Sequence, residues 1–130
     1  HNIMLSVRSI EEALFYWNQG IRNVMFCVEI SSPEMYEAYD KCDIPWNYLM
    51  AYIRLAVDPP MQEIYDKLHA NGVMTMTSIT GSSDKVKNDF DRHVAYFREL
   101  LAEPDIIETD YPSQFIGLPW DRKTLHSYKK

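Results

Sequence analysis

Hydrophobic residues along this chain fall into five short runs, and each run is followed by a segment with the periodicity of an amphipathic helix. The runs cover residues 2–9, 23–30, 48–57, 72–80 and 105–110. They are almost continuously apolar, which is typical of parallel strands covered on both faces. Parallel neighbours need a crossover connection, and the intervening segments supply one each time. The pattern therefore predicts an α/β fold of five βα units with parallel strands.

Local sequence signals predict where the helices begin. In one helix they also predict which residues share a face. Ser9 and Glu12 form an S-x-x-E capping box, and Pro33 follows two serines at the first position of the second helix. Asp110 precedes the last proline-led turn, where we expect it to act as the cap. In the fourth helix the spacing of apolar residues predicts one apolar face, formed by Phe90, Val94, Phe97 and Leu101.

Polar or charged side chains stand at the carboxyl end of every predicted strand. In α/β folds ligands bind beyond this edge of the sheet, so the repetition predicts one polar binding face. Arg8 and Arg54 are the strongest candidates, because a guanidinium can hold a phosphate through two hydrogen bonds. An ion pair with Glu29 or Asp58 is the competing interpretation. The other strand-end residues are Ser9, Ser31, Ser32, Thr77, Ser78, Thr80, Glu108, Thr109 and Asp110.

Two architectures accept five such units. The first is the C-terminal five-eighths of a (β/α)8 TIM barrel, which in full takes about 250 residues. The second is an open doubly wound sheet of the flavodoxin type, whose usual size matches a chain of 130 residues. The first predicted strand is followed by neither the acidic group of a receiver domain nor the phosphate loop of a flavodoxin. We predict one α/β domain over residues 1–119 and a C-terminal tail over residues 120–130.

The charge balance argues against two classes of partner. The formal net charge is −6 and the pI is near 5.1, whereas nucleic acids and anionic membranes attract clustered Lys and Arg. No apolar run reaches the length of a transmembrane helix, and nothing in the sequence indicates a localisation. Cys27 and Cys42 lack the spacing of metal ligands, and we interpret them as free thiols, Cys27 as a small buried hydrophobe.

No residue is a candidate catalyst on sequence grounds. The histidines do not stand at predicted strand ends, where a general acid would reach a substrate, and we interpret them as solvated or packing side chains: His1, His69, His93 and His126. A G-x-S-x-G nucleophile motif is absent. Glu29, Glu108 and Asp110 carry the oxygen ligands that Mg²⁺ and Ca²⁺ prefer, but capping explains Asp110, and we predict no metal ligand in this chain.

The segment "PDIIETDYPSQF" at residues 104–115 resembles the terminal motif of glycerophosphodiester phosphodiesterases, whose last barrel strand reads roughly D-G-I-I-T-D-Y-P. The matching residues are Asp105, Ile106, Ile107, Thr109, Asp110, Tyr111 and Pro112. One strand earlier, "NGVMTMTSIT" stands where that family has a strand ending in Trp-Thr-Val-Asn, of which only Thr77 matches. The opening "MLSVRS" resembles a mid-barrel strand of the family that ends in Ser plus an aromatic residue, and departs from it at Arg8.

The resemblance implies a TIM barrel that hydrolyses glycerophosphodiesters to glycerol 3-phosphate and an alcohol in lipid metabolism, with Mg or Ca as cofactor. The family's catalytic His-Arg-Gly stretch and its metal-binding carboxylates belong to the N-terminal half of the barrel, and we find neither here. We therefore expect the C-terminal part of such a protein, inactive alone. Its implied contacts with a glycerophosphodiester-type small molecule are Arg8, Arg54, Thr77, Thr109 and Asp110.

A partial barrel has two unpaired sheet edges, which proteins do not leave exposed. We therefore expect self-association or pairing with the missing N-terminal half. The alternative function is a non-catalytic interaction module or a phosphate-ligand-binding module.

Overall fold

The computed structural model describes residues 3–54 and 59–118, which form five strands and four α-helices. The strands are β1 (Met4–Ser6), β2 (Met25–Glu29), β3 (Leu49–Tyr52), β4 (Met74–Ser78) and β5 (Ile106–Glu108). The helices are α1 (Ile10–Asn18), α2 (Pro33–Asp40), α3 (Pro59–Ala70) and α4 (Asp89–Leu101), with short 3-10 helices at Trp46–Tyr48, Ser83–Lys85 and Pro112–Phe115. Each predicted strand is present, and each is shorter than its apolar run.

The strand order is β1-β2-β3-β4-β5, and every neighbouring pair is parallel. A doubly wound sheet has a non-sequential order, because the chain returns to the middle of the sheet partway through. A sequential order with right-handed crossovers instead puts all the helices on one face. The sheet curls around its other face into a half-barrel with alternating helices. The predicted partial TIM barrel is confirmed, and the flavodoxin-like alternative is wrong.

The main core lies between the sheet and α1 to α3. Alternate residues of β2 and β3 point into it and are almost fully buried, among them Phe26, Val28, Leu49 and Ala51. Burying one such large apolar side chain stabilises the fold by about 1.5–3 kcal/mol. A smaller cluster joins α4 to the end of β4 and consists of Ile79, Tyr96, Leu100 and Phe115. The core therefore lies on the convex side of the sheet and leaves the concave side open.

The helix starts follow the sequence signals in two of three tested cases. Ser9 Oγ accepts a hydrogen bond from the Glu12 amide at 3.2 Å, and Glu12 Oε2 accepts one from the Arg8 amide at 2.6 Å. Ser32 Oγ accepts from the Met35 amide at 3.2 Å, with Pro33 at the first helical position. Both predicted caps are confirmed.

The prediction that Asp110 caps the last helical turn is wrong. Tyr111 occupies the N-cap position of the 3-10 helix Pro112–Phe115, and no side chain caps that helix. The Asp110 amide is held instead by the carboxylate of Asp84, at 2.7 Å. Asp58, the other predicted ion-pair partner, lies outside the described residues. The predicted tail at residues 120–130 also lies outside them, so the domain boundary stays a prediction.

The predicted apolar face of α4 packs at its C-terminal end, where Leu101 contacts the smaller core cluster. Tyr96 and Leu100 are buried in the core, whereas Phe90 is 76% exposed and Val94 is 38% exposed. The periodicity of the sequence therefore located this helix without identifying the face that packs. None of the helices within residues 3–54 and 59–118 is long and apolar enough to cross a membrane.

Candidate functional site

A cavity of about 490 Å³ opens on the concave side of the sheet, toward the carboxyl ends of the strands. Every strand contributes to it, because residues paired across parallel strands point to the same face. The lining residues are Met4, Ser6, Val7, Arg8, Cys27, Glu29, Tyr52, Arg54, Met76 and Glu108. Charged side chains lie toward the strand ends and sulfur-containing ones lie deeper. The cavity therefore has a polar rim and an apolar floor.

Arg54 and Glu29 form an ion pair on this rim. Arg54 Nε lies 2.8 Å from Glu29 Oε1, and the second guanidinium nitrogen lies 3.2 Å from Oε2. The guanidinium of Arg54 holds the pKa of Glu29 below its usual value, and Glu29 in turn raises the pKa of Arg54. The Arg54 amide also donates to Ser31 Oγ at 3.0 Å. Of the two interpretations of Arg54 left open by the sequence, the ion pair is present.

Arg8 stands on the same rim at the end of β1. Its amide is bonded to Glu12, and its side chain lines the cavity. Among residues 3–54 and 59–118, none of the ion pairs involves the Arg8 guanidinium. Arg8 is therefore a rim cation without an ion-pair partner in the described part of the chain.

Thr77 and Thr109 lie elsewhere. Thr77 is 1% exposed on the helix-facing side of β4, where its hydroxyl donates to the Ile53 carbonyl oxygen at 2.8 Å. The Thr109 hydroxyl donates to the two carboxylate oxygens of Asp84, at 2.8 and 2.9 Å. Both hydroxyls are thus bonded to the scaffold. Thr77 points away from the cavity because alternate residues of a strand point to opposite faces. Neither threonine lines the cavity, and neither does Asp110.

Asp84 is an organising residue that sequence reasoning missed. Its side chain is buried and accepts hydrogen bonds from the Tyr96 hydroxyl at 2.7 Å, the Thr109 hydroxyl and the Asp110 amide. Burial, with the hydrogen bond to Asp84, raises the pKa of Tyr96 to about 12. In the sequence Asp84 is one of many polar residues in "GSSDKVKN", which is typical of an ordinary loop. Only the fold shows that this loop lies beside the residues that follow β5.

A second missed group lies at the opposite, amino end of the sheet. His69 Nε2 is 3.1 Å from Asp105 Oδ2 and 3.2 Å from Thr75 Oγ1. The same Asp105 oxygen accepts from the Thr75 amide at 2.8 Å and from the Thr75 hydroxyl at 3.0 Å. This group joins the end of α3 to the starts of β4 and β5. It lies away from the carboxyl ends of the strands, where barrel enzymes bind their substrates.

The described residues do not fit a Mg²⁺ or Ca²⁺ site. These cations take six or more oxygen ligands, several of them carboxylates. Within residues 3–54 and 59–118, no three His, Cys, Asp or Glu side chains are grouped to hold a metal ion. On the rim, both carboxylate oxygens of Glu29 already face the guanidinium of Arg54.

The fold and the rim define the chain as part of a (β/α)8 barrel, with a charged cavity where TIM-barrel enzymes carry their active sites. The chain is similar to a glycerophosphoryl diester phosphodiesterase from Parabacteroides distasonis, with 32% sequence identity and a TM-score of 0.79 over 91% of this chain. It spans 43% of the length of that enzyme. No protein-family model matches the chain, and no curated protein matches it. The resemblance to glycerophosphodiester phosphodiesterases is confirmed.

Proposed function

We propose that this chain forms the phosphate-binding wall of a glycerophosphodiester phosphodiesterase-like barrel and does not catalyse hydrolysis by itself. The observation that carries the proposal is the Arg8 guanidinium, which has no ion pair within residues 3–54 and 59–118 and lies on a rim shared with the Arg54–Glu29 pair. A phosphodiester has one negative charge and two free oxygens, which match one bidentate guanidinium. The similarity to a phosphodiesterase supports this choice of ligand over other small anions.

The remaining parts of the reaction are assigned to residues outside this chain. Metal-dependent hydrolysis needs a carboxylate cluster and a general acid; the part of the chain that the structure describes has no group of three metal-ligating side chains, and the cavity lining includes no histidine. We propose that further strands supply both, with Mg or Ca as the cation and lipid-derived glycerophosphodiesters as substrates. The open edges of β1 and β5 are where such strands would pair.

Binding of sn-glycerol 3-phosphate and sn-glycero-3-phosphocholine, followed by NMR chemical shifts, tests the proposal. We expect the amides near Arg8 to shift in the wild-type chain and the shifts to be lost in Arg8→Gln. The matched control is Arg98→Gln, an exposed arginine on α4 outside the cavity. Equal binding by the two variants, or no binding by the wild type, would refute the role of Arg8.

A second candidate function is a non-catalytic interaction module that binds another chain through its concave side. The observation that favours it is the exposure of Met4 and Ile106, which lie on that side on the two edge strands, and of Met74 on the inner strand β4. Light scattering over a concentration series separates the candidates. A stable dimer whose rim residues no longer bind glycerophosphodiesters would favour the module, whereas a ligand-binding monomer would favour the phosphate-binding wall.

A further inference from the structure

The concave side of the sheet is rich in sulfur, and three of its sulfur-bearing residues, Met4, Cys27 and Met76, line the cavity. Among the twenty residues of the five strands, twelve point to the concave side, and six of these twelve are Met or Cys. The sulfur-bearing residues are Met4, Met25, Cys27, Met50, Met74 and Met76. The eight strand residues that face the helices include none. Only two methionines of the chain, Met35 and Met61, lie elsewhere.

An apolar lumen alone would not select methionine. Barrel interiors are filled mainly by branched Val, Ile and Leu, and strands favour β-branched and aromatic residues. The helix-facing side of these same strands follows that rule, with Leu5, Phe26, Val28 and Leu49. The concave side departs from it in favour of the two side chains that carry sulfur. A role that depends on sulfur accounts for the difference.

The strand register brings three of these side chains together. Cys27 pairs with Met50, and Met50 pairs with Met74, so the three lie side by side on β2, β3 and β4. Neighbouring strands are about 4.8 Å apart, so residues paired in register are nearest neighbours on the same face of the sheet. Met25 flanks the row on one side and Met76 on the other, each two positions along its strand. Cys27 and Met50 are buried, yet neither belongs to the two core clusters.

We propose that Cys27, Met50 and Met74 form a binding site for a soft monovalent cation of the Cu(I) class, with Met25 and Met76 as flanking thioethers. Thiolate and thioether ligands select Cu(I), whereas Mg²⁺ and Ca²⁺ require oxygen. Binding of the cation to Cys27 would replace the thiol proton, which is released to the solvent. The site lies below the charged rim, and it does not depend on phosphodiester binding by Arg8.

Anaerobic competition between the chain and bathocuproine for Cu(I), with Ag(I) as a redox-inert check, tests the site. We expect the wild type to take one equivalent, and X-ray absorption to report sulfur neighbours only. Met50→Leu keeps the volume and removes the sulfur, and Cys27→Ser removes the thiol. Each should weaken binding by at least about tenfold, which is the lower end of the loss seen when even an outer-sphere partner of a metal is removed.

The controls are Met35→Leu and Met61→Leu, which remove sulfur from α2 and α3 and should leave Cu(I) affinity unchanged. Met74→Leu serves if Met50→Leu fails to fold, because Met74 is 44% exposed and its replacement disturbs less packing. Circular dichroism confirms that each variant is folded. A wild type that loses the competition, or equal affinities in the strand and helix methionine variants, would overturn the proposal.

Discussion

The two halves of the rim have the same sequence pattern and different structures. In the β1–β3 half, Arg8 and Arg54 extend into the cavity, and the ion pair of Arg54 is largely exposed. In the β4–β5 half, Thr77 and Thr109 are bonded to scaffold groups. Polar residues at strand ends therefore have two different surroundings: Arg8 and Arg54 line the open cavity, whereas Thr77 and Thr109 are bonded to the scaffold. Substitution of each side chain tests this difference. Loss of a buried scaffold hydrogen bond should lower the free energy of unfolding, whereas loss of a side chain in the open cavity should change it little.

The largest effect is expected for Asp84→Ala, in the β4–β5 half. The change leaves the Tyr96 hydroxyl, the Thr109 hydroxyl and the Asp110 amide without their acceptor. Buried hydrogen bonds to a charged group contribute about 1.5–3 kcal/mol each, so the free energy of unfolding should fall by about 3 kcal/mol or more. Urea denaturation measures it. Asp43→Ala, an exposed aspartate, should stay within about 0.5 kcal/mol of the wild type, and a similar value for Asp84→Ala would remove it as the organising residue.

An intermediate effect is expected for Thr77→Val and Thr109→Val. Each keeps the side-chain shape and removes one hydroxyl donor, so each should cost about 1–2 kcal/mol in thermal or urea unfolding. Neither should change the binding of sn-glycerol 3-phosphate, because neither side chain lines the cavity. Loss of ligand affinity in either folded variant would show that this threonine takes part in binding, and the two halves would then not differ as described.

The smallest effect on stability is expected for Arg54→Gln, in the β1–β3 half. In its pair with Glu29 the Arg54 side chain is largely exposed, and exposed ion pairs contribute little to stability because water and salt screen them. Arg54 lowers the pKa of Glu29 from 4.5, so the contribution is present above pH 4.5 and is lost as the pH falls through the lowered pKa of the folded state. The stabilities of Arg54→Gln and wild type should therefore differ at pH 7 and converge in acid. A difference that does not depend on pH would exclude the ion pair as its cause.

The fold could be predicted because its determinants are local. The alternation of apolar runs and capped helices specifies βα units, and the terminal motif separates a barrel from an open sheet, which composition could not do. The face of α4 that packs was not predictable, because an apolar stripe of Phe90 and Val94 gives no information on which neighbours the helix meets. The roles of Asp84 and His69 were not predictable for a related reason. Their partners are 25 and 36 residues away, and loop and helix patterns do not report such distances.

The sequential strand order also determines how this architecture can change length. Each strand pairs only with the strands that precede and follow it in the chain, so no pairing spans more than one βα unit. Adding a unit at either end creates one new interface and disturbs none, and removing a terminal unit breaks only one. A doubly wound sheet has no such freedom, because its first strand lies in the middle and every later strand is built on it. Duplication, truncation and recombination of whole units are therefore compatible with this topology.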